Sequence, residues 1–184
     1  MFNEPDVGPE DVPNATQYYY GAWVLNEDYY AAGVRYGEMT AVVYPLVKAA
    51  CPSMQLISGA LAGNDPQSLF FLRGMLDGGL QTDYISFHKY VYTQDQFNSV
   101  FEFAETITEI TDLSLIASET NLVSAIGGFD HEALKAKYMT YLREHIQNSG
   151  ITSVLIYGMC NTWMNSALAP NCVPGEAFRI WASQ

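Results

Sequence analysis

Four short apolar runs recur along this chain, and their spacing limits what it can fold into more than any other feature. They are MQLISG (Met54–Gly59), YISFH (Tyr84–His88), LSLIASE (Leu113–Glu119) and TSVLIYG (Thr152–Gly158). Each is five to seven residues long and apolar at most positions. A strand with one wet face alternates apolar and polar residues, whereas a strand covered on both faces does not. The runs therefore predict buried strands of a parallel sheet.

The intervals between them carry helical patterns. Across Tyr29 to Ala50, residues Tyr30, Val34, Val42, Leu46 and Ala50 fall on one apolar stripe, and Pro52 follows the end. From Glu132 to Gln147, residues Leu134, Tyr138, Leu142 and Ile146 recur every four positions, and Gly150 is a stop signal. Phe97, Phe101 and Ala104 mark a third helix, and Leu69 to Leu76 a shorter one. Strand and helix in alternation imply a parallel sheet with helical crossovers. Two architectures meet that condition: an open doubly wound sheet, or part of an eight-stranded (β/α)8 barrel.

The ends of the runs separate the two. A nucleotide-binding open sheet carries a Gly-rich turn after its first strand, and neither GxGxxG nor GxxxxGK[ST] occurs here. Instead the strand ends hold residues suited to chemistry: Asn3-Glu4-Pro5, His88-Lys89-Tyr90, Ser118-Glu119-Thr120-Asn121, and Asn161-Thr162-Trp163. Barrel enzymes gather their chemistry at that position, because the loops after the strands crowd one face.

Charge and composition remove other classes. The 184 residues have a net charge of −12 and only 8 Lys and Arg. That argues against nucleic acid and against anionic membrane surfaces, both of which need clustered cations. No apolar run approaches the roughly 18 residues of a membrane span. Cys51, Cys160 and Cys172 give an odd count with no Cys-x-x-Cys spacing, so no metal site is indicated. Whether Cys160 and Cys172 meet across a loop stays open. No basic region followed by an apolar stretch opens the chain, and the compartment, a secreted one included, is not fixed by the sequence.

Taken together, Asn-Glu-Pro at one strand end, His-x-Tyr two strands later, a Glu closing the next strand and a Trp at the last resemble glycoside hydrolase clan A. These are retaining glycosidases on an eight-stranded α/β barrel, and families 5 and 39 are nearest in style. The resemblance runs from residue 1 to about Trp163. It implies that Glu4 is the general acid/base at the end of strand four and Glu119 the nucleophile at the end of strand seven. It implies that Tyr90, paired with His88 on strand six, hydrogen-bonds the nucleophile. Asn3 would hold the sugar 2-hydroxyl, and Trp163 would form the floor beneath the sugar.

The resemblance also implies a partial TIM barrel, from the end of strand four through strand eight and the final helix, as one domain over residues 1–184. A whole barrel needs roughly 200 residues or more. The Arg and His that the clan carries on its second and third strands have no counterpart here. The chain alone is therefore expected to be weakly active or inactive. A half barrel would also expose a sheet edge and part of its interior, which favours self-association or pairing with an N-terminal half.

The residues support this chemistry independently. Breaking a glycosidic bond needs a proton for the leaving oxygen and an electron pair for the anomeric carbon, and two carboxyls in different protonation states supply both. Glu119 directly follows a buried run, where a charge needs a partner or a task. The aromatic stretch QYYYGAW offers Trp23 and neighbouring tyrosines as sugar-stacking surfaces. A β-glycoside is the expected substrate, with no cofactor and no metal. Two other readings meet the sequence less well: a non-catalytic carbohydrate-binding or structural half barrel that pairs with another chain, and an unrelated aldolase or metal hydrolase. The last lacks support, because Lys89 and His88 are the only strand-end Lys and His.

Overall fold

The structure is a computed structural model that describes residues 4–6, 28–63, 66–123, 131–156 and 179–180. Along the chain run α1 (Tyr29–Ala50), α2 (Gln67–Asp77), β1 (Tyr84–Val91), α3 (Ser99–Thr108), β2 (Ser114–Leu122), α4 (His131–His145) and β3 (Ile151–Ile156). The three strands form one parallel sheet in the order β1-β2-β3, with helices between successive strands. Two compact units divide the described residues. The first comprises residues up to His88 together with 110–116. The second comprises 89–109 and the residues from 117 onward.

In the first unit the fold is set by how closely α1 and α2 approach. Gly33 and Gly37 on α1, and Gly74 on α2 with Gly78 at its C-cap, are each spaced by one turn. A Cβ placed on Gly33 would lie 2.1 Å from the carbonyl oxygen of Phe71, and one on Gly37 would lie 2.2 Å from that of Met75. The reverse holds for Gly74 against Tyr30 (2.1 Å) and Gly78 against Val34 (2.2 Å). The helices touch backbone to backbone, a geometry that only glycine permits.

That contact decides which face of α1 is buried. Ala32, Gly33, Tyr36 and Gly37 are buried, while Tyr30, Val42 and Leu46 are exposed, Leu46 to 67%. The apolar stripe read from the sequence is thus not the inward face. Ala32, Gly33 and Gly37 are buried where they allow close approach, with Tyr29 and Tyr36 beside them on the same inward face. The helix limits agree with the pattern. Asp28 caps the start by accepting the Ala31 N–H at 2.9 Å. Near the other end Lys48 pairs with Asp83 at 2.8 Å. Asp83 also accepts the Leu56 N–H and the Tyr44 hydroxyl, fastening α1 and the 54–61 segment to the start of β1.

The run Met54–Gly59 was expected as a continuous strand. The 54–61 segment meets β1 instead through two isolated parallel bridges, Ile57 with Tyr84 and, just beyond the run, Leu61 with Phe87. The interruption has a local cause. The Ser58 hydroxyl accepts the Ser86 N–H at 3.0 Å, taking the place of a backbone carbonyl. The ladder resumes with Leu61 N–H to Ser86 and His88 N–H to Leu61.

In the second unit the core is aromatic and aliphatic. Phe97, Phe101, Phe103 and Ile107 from the α3 region and Tyr138, Met139 and Leu142 of α4 are all buried. Phe97 and Tyr138 stack obliquely with ring centres 5.0 Å apart. Gly150, at φ +72°, makes the turn into β3. β3 begins one residue before the run expected at Thr152–Gly158, and the last two residues of that run lie outside the described residues. Among the described residues no helix is long and apolar enough to cross a membrane.

A Gly33→Ala or Gly74→Ala substitution is expected to lower stability by about 2 kcal/mol or more, because the added methyl meets backbone that cannot rotate away. Leu46→Ala is expected to change it by less than about 0.5 kcal/mol, as its side chain faces water. Urea unfolding of the three variants checks both statements.

Candidate active site

The pleat of β1 places the site residues. Side chains two apart on a strand share a face, so His88 and Tyr90 project the same way and Lys89 the opposite way. Lys89 sits over the Phe103 ring, 4.9 Å from its centre. On β2 the same alternation sets Glu119 and Thr120 on opposite faces. Thr120 is fully buried and its hydroxyl contacts the Lys89 carbonyl (2.6 Å) and the Tyr138 hydroxyl (2.7 Å). With Thr120 and Lys89 turned to the helix side, Glu119 and Tyr90 emerge together on the other.

Two pairs result, one in each unit. In the second unit the Tyr90 hydroxyl donates to Oε2 of Glu119. In the first unit His88 Nδ1 lies 2.8 Å from Oε1 of Glu4. The His88 side chain is 2% exposed and that of Glu4 21%. Glu4 has φ +43°, a left-handed backbone in a residue that is not glycine. Such a conformation costs on the order of 1–3 kcal/mol and persists only where its surroundings impose it.

Asp6 supplies part of those surroundings and was not singled out by sequence reasoning. It is buried, accepts the Ala62 N–H with both carboxylate oxygens (2.9 and 3.0 Å), and accepts the Ser68 hydroxyl at 2.5 Å. Burial pushes its carboxyl up to about 6, against the opposing pull of its donors from Ser68 and Ala62. Its signal in the sequence is the fourth letter of NEPD, an acid two residues beyond Glu4. Thr120, part of the strand end Ser118-Glu119-Thr120-Asn121, faces the buried side instead.

Of the residues that the sequence nominated, Glu4, His88, Tyr90 and Glu119 are placed by the structure in these two pairs. Asn3, Trp23 and Trp163 lie outside the described residues, as do Cys160 and Cys172. No group of three or more His, Cys, Asp or Glu among the described residues could hold a metal ion.

The described portion is a mixed α/β fold with a parallel sheet, the class found in barrel glycosidases. No family model and no curated protein matches the chain. Solved structures do. A GH128 (subgroup III) curdlan-specific exo-β-1,3-glucanase from Blastomyces gilchristii matches at TM-score 0.67 and 16% identity, covering 100% of this chain and 68% of that one. A GH128 (subgroup II) endo-β-1,3-glucanase from Sorangium cellulosum matches at TM-score 0.64 and 16% identity, over 85% of this chain and 62% of that one. A GH128 (subgroup I) endo-β-1,3-glucanase mutant from Amycolatopsis mediterranei, in complex with laminaripentaose, matches at TM-score 0.62 and 15% identity, over 80% and 64%. The chain thus spans just under two thirds of the Amycolatopsis enzyme. The likeness establishes the fold. These neighbours are GH128 glycoside hydrolases and do not single out family 5 or family 39.

Asp6 gives a pH signature. Its folded value is raised above the ordinary carboxyl value of 3.8, so between about 4 and 6 the folded chain holds a proton that the unfolded chain has released. Stability from this group is full below about 4 and falls as pH rises to about 6. The difference between wild-type and Asp6→Asn unfolding free energies should therefore change by roughly 2–3 kcal/mol across that window. Asp83, held below its usual range first by the Leu56 N–H and then by Lys48, works in the opposite direction in both proteins and cancels in the difference. Denaturation at a series of pH values measures it.

Proposed function

We propose that this chain carries the catalytic carboxyl pair of a retaining β-glycosidase, and that its substrate class is β-1,3-linked glucan. The observation that carries the reading is that each glutamate has its own partner, Glu4 with His88 in the first unit and Glu119 with Tyr90 in the second. The substrate class is suggested by what the GH128 neighbours are: β-1,3-glucanases, two of them solved with laminari-oligosaccharide or glucose bound.

In this reading Glu119 attacks the anomeric carbon while Tyr90, bonded to Oε2, fixes its rotamer. Glu4 gives its proton to the departing glycosidic oxygen. The glycosyl–Glu119 ester is then hydrolysed by water, whose proton returns to Glu4. Each proton and electron pair is accounted for by the two carboxyls, and configuration is retained after two inversions. His88 holds Oε1 of Glu4 on the buried side. Asn3 would take the 2-hydroxyl, and Trp163 and Trp23 would stack on the apolar face of the sugar. The chain would form one domain, the C-terminal part of a TIM barrel. It would turn over slowly by itself, because the strand-two and strand-three residues of the clan are not supplied by it.

Retention needs the carboxyls about 5–5.5 Å apart, and inversion about 6.5–9.5 Å. A crystal structure of the chain with laminaritriose is expected to give the shorter separation, with Glu4 beside the glycosidic oxygen. On laminarihexaose, Glu119→Gln and Glu4→Gln should each lower the residual kcat by about 10²–10⁴-fold. Binding of laminari-oligosaccharide with a wide carboxyl gap and no turnover would favour a non-catalytic carbohydrate-binding role instead.

A further inference from the structure

Hydrogen bonds link Glu4 to β1 by two independent routes, and the routes close into a ring. The first route is direct, from Glu4 Oε1 to His88 Nδ1 at 2.8 Å. The second runs through the backbone. The His88 N–H donates to the Leu61 carbonyl at 2.7 Å. The next residue, Ala62, donates its N–H to both carboxylate oxygens of Asp6. Asp6 stands two residues from Glu4, with the rigid Pro5 between them. A third bond ties the same carboxylate to Ser68 in the first turn of α2.

We propose that Asp6 is the positioning residue of the Glu4 carboxyl: it clamps the Glu4-Pro5-Asp6 turn to Ala62 and Ser68, and so fixes the distance from Glu4 to His88. The inference rests on the reading of Glu4 as the acid/base.

Three features support a clamp over a merely buried acid. Asp6 is 2% exposed, yet its carboxylate is met by donors from two separate elements. Burying a carboxyl is unfavourable, and a solvent-exposed polar residue would suffice if the turn needed only to be soluble. Second, Glu4 holds φ +43°, and the following proline already disfavours helical backbone at that position. A residue in that state relaxes unless both sides of it are held, and Asp6 and His88 are those two holds. Third, the carboxyl is one residue type that can take two backbone-directed bonds and a hydroxyl at once, because it accepts through both oxygens.

The test reads the proton shared by His88 and Glu4, by NMR of the full 184-residue chain labelled with nitrogen-15. The three histidine rings are assigned by replacing each in turn. In the wild type this proton should exchange slowly with water. Asp6→Asn should speed its exchange by about tenfold or more, and Ser68→Ala by a smaller factor, because the turn opens locally. Asp83→Asn, which removes another multiply bonded carboxylate of the same unit, should lower the unfolding midpoint yet alter this exchange by less than about twofold. Unchanged exchange in folded Asp6→Asn would overturn the proposal, as would an equal effect of Asp83→Asn or a wild-type spectrum without the slow proton. If Asp6→Asn does not fold, Ser68→Ala decides, and an unaltered proton there also overturns it. The signal is read whether or not sugar is cleaved. Absence of turnover with the expected exchange pattern therefore counts against the glycosidase reading alone.

Discussion

The pleat of one strand decides which polar groups of β1 face the two glutamates. Residues two apart on β1 must share a face, and the chain has put His88 and Tyr90 on it. Each is a group that can hold one carboxyl oxygen, one through a buried imidazole and the other through a phenol. The intervening Lys89 is turned to the helix side, where its stem and charge lie over Phe103. A shift of one residue in register would exchange these faces and turn Lys89 to the side that His88 and Tyr90 now occupy. Thr120 guards against that shift on the neighbouring strand, since its hydroxyl links the Lys89 carbonyl to Tyr138 of α4. A buried hydroxyl with two partners is costly to displace, because either partner would be left unsatisfied in the core.

Much of this was legible in the sequence. The apolar runs located all three strands to within a few residues, since fully buried strands announce themselves by lacking alternation. The residues that end them, His88, Tyr90 and Glu119, stood out because polar groups after buried runs need an explanation. What the sequence concealed has a common physical origin. The buried face of α1 could not be read from hydrophobicity, because Gly33 and Gly37 are buried for the space they leave. The break in the 54–61 segment depends on a single serine hydroxyl standing in for a carbonyl, which no periodicity records. Asp6 was passed over because a lone acid in a polar turn is ordinarily solvated, and only the fold brings Ala62 and Ser68 to it. The assignment to families 5 and 39 rested on a few strand-end residues that barrel glycosidases of many families share. The GH128 likeness came from the backbone.

The paired glycines of α1 and α2 have a mechanical consequence. A sliding helix pair usually has neighbouring registers of similar energy, one turn apart. Here a slip by one turn of α1 would bring Tyr29 or Ala41 onto a backbone carbonyl in place of a glycine, and a slip of α2 would do the same with Phe70. The crossing is a key with a single notch position. Ser68 stands at the start of α2, so the notch also sets where the Asp6 carboxylate finds its hydroxyl. Helix register and the anchoring of the Glu4-Pro5-Asp6 turn thus share one hydrogen bond, from Ser68 to Asp6. Whatever variation the exposed face of α1 accumulates, those four glycines leave no room for a side chain.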